Sequence, residues 1–69
     1  MLLHEWMAEN GTDDEKMAEM LGISRSGVAR LRLGDRYASL ATANRILRVT
    51  GGAVTPNDLL AAYHIRHRS

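Results

Sequence analysis

The stretch DEKMAEMLGISRSGVARLRL, residues 14–33, decides the fold. Asp14, Met17, Ala18 and Leu21 follow the i, i+3, i+4, i+7 spacing that lays one buried stripe along an α-helix. Gly22 stops that helix, because glycine adopts the left-handed backbone needed just past a helix C-terminus, and Ser24 can cap a new helix by accepting from its free N–H groups. Gly22 and Ile23 are left as the link, so the two helices must cross steeply and touch, with the small Ala18 at the crossing. Val28 and Leu31 give the second helix its inward edge. Its other face carries Arg25, Ser26, Ala29, Arg30 and Arg32 in place of a second apolar stripe. Gly27, inside this helix, costs roughly 1 kcal/mol relative to alanine, which predicts close approach there to the preceding helix or to a ligand backbone.

On the N-terminal side, a helix is expected from Leu2 to Glu9, with Leu3, Trp6 and Met7 inward and Glu5 and Glu9 outward. Asn10-Gly11 ends it. Thr12 is the predicted cap of the next helix, with Glu15 completing a Thr-x-x-Glu capping box. On the C-terminal side, Gly34 and the polar loop Asp35-Arg36-Tyr37-Ala38 precede Ser39, a cap for a fourth helix. The predicted buried stripe of that helix is Leu40, Ala43, Ile46 and Leu47, with Arg45 and Arg48 outside, and Gly51-Gly52 end it. Thr55, Pro56 and Asp58 start a fifth helix: an N-cap, a proline where its missing N–H costs nothing, and a Thr-x-x-Asp box. Leu59, Leu60 and Tyr63 supply its apolar surface. No segment of useful length has the period of a strand. The expectation is an all-α, compact five-helix domain over residues 1–63, with the helix-turn-helix at 14–33 and a frayed basic tail at 64–69.

Composition narrows the function. A chain of 69 residues builds one small core and is often marginal alone, which favours dimerisation or partner binding. The absence of cysteine removes disulfides, thiol catalysis and cysteine zinc sites. MLLHEWMAEN turns acidic within five residues and has no long apolar run, so neither export nor membrane insertion is expected and a cytoplasmic location is. The net charge of +1 conceals a division: up to Leu21 six acids face Lys16 alone, a balance of −5, while from Gly22 onward eight arginines face Asp35 and Asp58, a balance of +6. Arginine outnumbers lysine eight to one, a bias towards planar, bidentate recognition of phosphate or guanine.

These residues carry a resemblance. Ala18, Leu21, Gly22, Ile23, Ser24, Val28 and Leu31, followed by Gly34 and Arg36, resemble the Cro/CI-type (XRE) helix-turn-helix regulators. Ala43 and Ile46, with Thr50-Gly51-Gly52-x-Val54-Thr55-Pro56-x-Asp58-Leu59, extend the similarity, which looks especially like the Cro-like or YdaS-type antitoxin branch. The resemblance covers about Leu2 to Leu60. It implies a lambda-repressor-like domain that binds double-stranded operator DNA as a dimer with the second helix of the motif in the major groove. Carried over by position, Arg25, Ser26, Ala29 and Arg30 are the base readers, and Arg36 is a loop contact beyond the helix; Ser24, Arg32 and Tyr37 join the expected DNA surface. Arginine forks match guanine O6 and N7, and serine can donate to phosphate or base. One departure stands out: relatives often place a phosphate-contacting glutamine where this chain has Asp14, between Asp13 and Glu15, and carboxylates repel phosphate.

Plainer readings apply elsewhere. A tight helix pair can be an ordinary αα-corner, but the arginine face favours DNA. Arg45 and Arg48 are most simply solvated, with backbone contact as the sharper reading. His64 and His67 at i, i+3 on a tail make a poor metal site, and no metal, cofactor or small-molecule ligand is expected. Trp6 and the four methionines fill core or interface. Leu59, Leu60 and Tyr63 are the candidate dimer surface, with core as the equal alternative. No acid, base and nucleophile converge on a pocket, so an enzyme is not expected. The leading expectation is a sequence-specific transcriptional repressor that binds an inverted repeat as a homodimer and occludes RNA polymerase. The alternative is an antitoxin or anti-regulator that grips a protein such as a toxin through the acidic N-terminal face or the C-terminal helix.

Overall fold

The computed structural model describes residues 1–68. Five helices follow one another: α1 (Leu3–Glu9), α2 (Asp14–Leu21), α3 (Arg25–Leu33), α4 (Leu40–Val49) and α5 (Pro56–His67), and no strand occurs among the described residues. The all-α, five-helix expectation is met.

The helix starts follow from side-chain caps. Ser24, Ser39 and Thr55 accept from the backbone N–H groups of Gly27, Thr42 and Asp58. At α2 the cap is Asp13, whose Oδ1 accepts from Lys16 N at 2.8 Å, and not Thr12 as predicted. Thr12 and Asp13 are adjacent capping types; the aspartate carries a full charge against the helix dipole. Gly22 at φ 69° and Gly34 at φ 80° take the left-handed conformation that closes α2 and α3.

Leu3, Met7, Met17, Ala18, Leu21, Val28, Leu31, Ala43, Ile46, Val54 and Leu59 form a single core, with Trp6, Ile23 and Val49 packed against it. Helix α3 sits at its centre and touches α1, α2 and α5. Thr50 is the buried polar residue: its hydroxyl donates to Ile46 O at 2.7 Å and accepts from Val54 N at 3.1 Å, so the turn after α4 folds inward without an unpaired group.

Three further expectations change. Leu40 is 77% exposed and Leu47 only half-buried. At about 100° per residue the buried arc of α4 runs through Ala43, Ile46 and Thr50, which leaves Leu40 and Leu47 at its edge. Residues 64–67 are not frayed but continue α5, which ends at His67, and Arg66 Nε donates to Asp35 Oδ1 at 2.8 Å. Ser69, the last residue of the predicted tail, lies outside the described residues. Gly27 does not make its close approach to α2: a Cβ there would meet Ser24 Oγ at 3.2 Å and Ile23 Cδ1 at 3.5 Å, both from the turn before α3.

Candidate nucleic-acid interface

Helical geometry sorts the exposed side chains of α3 into rows. Ser26, Arg30 and Leu33, spaced i, i+4, i+7, share its outward face and are exposed, Leu33 at 53%. Arg25, Ala29 and Arg32 form the adjoining row towards the start of α2. There a shallow cleft is lined by Asp13, Asp14, Glu15, Arg25, Ser26 and Ala29. The acidic first turn of α2 therefore borders the arginine helix directly.

On the opposite flank of α3 lies a cleft of about 280 Å³, whose walls include Ser24, Gly27, Arg36, Tyr37, Ser39 and Thr42. It brings Arg36, from the loop, to the same side of the molecule as the start of α3. Arg25, Arg30 and Arg36 are exposed and make no hydrogen bond or ion pair among the described residues, so their guanidinium forks stay open to a ligand.

The remaining candidates are engaged within the fold. Ser24 Oγ accepts from Gly27 N at 3.0 Å and lies 3.2 Å from Ser26 Oγ, so its first task is to cap α3. Tyr37, 47% exposed, stacks on Tyr63 with ring centroids 4.0 Å apart, and its hydroxyl meets His64 Nε2 at 3.2 Å. The ring of His67 lies 4.2 Å from that of Tyr63. This aromatic column pins the loop after α3 onto α5.

Arg32 differs most from its expected role as an open contact. It is half-buried, with Nε donating to Asp14 Oδ1 at 2.7 Å and Nη2 to Asp14 Oδ2 at 2.9 Å. This is a bidentate charge-assisted pair. The hydrogen bonds from Arg32 hold the Asp14 carboxyl below its ordinary range despite partial burial, and the same bonds raise the guanidinium pKa. Asp14 thus faces an arginine of its own chain. Nothing in the spacing of two residues 18 apart could have signalled the pair.

Of the candidate dimer residues, Leu59 is corrected to the core, with 5% of its surface exposed. Leu60 and Tyr63 are half-buried. Leu60 and the exposed Leu40 border a shallow apolar groove of about 340 Å³, together with Tyr37 and Pro56. Sequence reading missed Leu40 here because it assigned that side chain to the core. No group of three or more histidine and acidic side chains that could hold a metal occurs among the described residues. No described helix is long and apolar enough to cross a membrane.

A family model described as helix-turn-helix matches residues 3–57, from the start of α1 into α5. No curated protein and no solved structure gives a significant match.

Proposed function

Since the chain belongs to the helix-turn-helix family of Cro/CI-type DNA-binding regulators, we propose that it is a repressor that binds an inverted-repeat operator as a homodimer, with α3 in the major groove. The observation that carries the placement is the set of open guanidinium groups around α3. Arg25 and Arg30 stand on the helix, with Ser26 between them, and Arg36 borders it across a cleft. In the major groove an arginine fork meets guanine O6 and N7, and serine adapts to base or phosphate. Arg36, off the helix, suits the backbone contact that fixes register. Repression would follow from occupying a promoter that RNA polymerase must enter.

Selection of bound duplexes from a random library tests this reading. A homodimer should enrich a sequence with dyad symmetry whose half-sites are about 34 Å apart, one helical turn. Binding should also fall steeply with salt as phosphate contacts release counterions. Enriched sequences without dyad symmetry would overturn the homodimer on an inverted repeat, and a flat salt response would overturn the phosphate contacts.

A further inference from the structure

The Asp14–Arg32 pair lies at the margin of the proposed reading surface. Asp14 lines the same cleft as Arg25, Ser26 and Ala29, and Arg32 continues the Arg25–Ala29 row of α3. Left open in the last turn of α3, away from Arg25 in the first, the Arg32 guanidinium would take a phosphate from any duplex that α3 enters, whatever its sequence, because phosphate contacts carry no base information. The carboxylate of Asp14 instead takes up the Nε–H and one Nη donor of the fork and offsets its charge.

The packing of α2 on α3 does not depend on this pair. Met17, Ala18, Leu21, Val28 and Leu31 close that contact with exposures of 7% or less. The pair itself keeps 33% side-chain exposure on Arg32 and 27% on Asp14, and ion pairs so open to water add little stability. That exposure also leaves the guanidinium within reach of a phosphate if the carboxylate is removed.

We propose that Asp14 is a specificity-determining residue that acts through Arg32. By occupying the guanidinium it withholds one sequence-independent phosphate contact, so that a larger share of the binding depends on the base edges met by Arg25, Ser26 and Arg30. The proposal rests on α3 being the DNA-contacting helix.

Salt titrations of the full chain on a random-sequence duplex test it, using wild type, Asp14→Asn, Arg32→Gln and the double variant. Asp14→Asn should steepen the slope of log K against log salt by about 0.9, one added phosphate, and tighten binding by up to about eightfold at 0.1 M salt. Arg32→Gln and the double variant should keep the wild-type slope. Equal steepening with and without Arg32 would assign the effect to loss of negative charge alone and overturn the proposal; so would no steepening.

Should Asp14→Asn fail to fold, the wild type still decides. The Arg32 Nε–H resonance should keep its frequency and slow exchange when the protein is saturated with duplex, and a shift onto phosphate overturns the proposal. An Arg30→Ala arm separates the two levels. If Arg30→Ala leaves binding to the selected operator unchanged, the placement of α3 on DNA falls and this proposal with it. Arg30 dependence with equal steepening in both backgrounds removes this proposal alone.

Discussion

Gly34 lies in backbone contact with Ala62: a Cβ built on Gly34 would fall 2.9 Å from the carbonyl carbon of Ala62 and closer still to its oxygen. The end of α3 and the middle of α5 can approach this far because one residue has no side chain.

Gly34→Ala should therefore carry two penalties, about 1–2 kcal/mol for left-handed backbone and about 1–3 kcal/mol for overpacking. Gly22, at φ 69°, has nothing within 4 Å of a built Cβ, so Gly22→Ala should carry only the first. Denaturant melts of the two variants make the comparison. If Gly34→Ala costs no more than Gly22→Ala, the approach of α3 to α5 is not as described.

The phase of α4 can be read from two substitutions. Leu40→Gln, at a side chain 77% exposed, should change stability by less than about 0.5 kcal/mol. Ile46→Ala, at a fully buried side chain, should cost roughly 2–5 kcal/mol, a large fraction of what so small a domain has. Similar losses for both would restore Leu40 to the core.

Base reading and backbone contact separate by specificity. Arg25→Ala or Arg30→Ala should cost about 1–3 kcal/mol on the selected operator and relax sequence preference. Arg45, whose Nε points to Met20 O at 3.4 Å, lies on α4 away from the reading rows, and Arg45→Ala should weaken all duplexes alike or have no effect. Equal losses on operator and scrambled duplex for Arg30→Ala would remove it from base recognition.

Acid should remove a small contribution to stability at two places. Asp14, through its hydrogen bonds from Arg32, and Asp58, chiefly through the backbone N–H of Thr55 at 2.9 Å, are both held below the ordinary value of 3.8. A carboxyl depressed in the folded state stabilises it above the unfolded pKa, and that contribution is lost as pH falls through the folded value. The melting temperature should thus drop as pH is taken below 3.8, and the double variant Asp14→Asn, Asp58→Asn should drop less steeply. Parallel curves for the two proteins would remove both carboxylates as the cause.

Local chemistry was enough for the helix-turn-helix and for the class of function. The stripe Met17, Ala18 and Leu21, the stop at Gly22, the cap at Ser24 and the edge Val28, Leu31 all act within a few residues of chain, so spacing and residue type determine them. The same holds for the caps at Ser39 and Thr55 and for the arginines of α3. Local rules failed where two neighbours could do one job, as with Thr12 and Asp13, or where a helix edge was mistaken for its centre, as with Leu40. What only the tertiary structure decided is which side chains are already taken. Arg25 and Arg32 look alike in sequence, on one row of one helix, yet Arg25 is open while Asp14 holds Arg32, and Tyr37 is committed to Tyr63 and His64. Those partners lie 18 to 27 residues away, and hydrogen bonds and ring stacks between such distant residues arise only from how the helices pack.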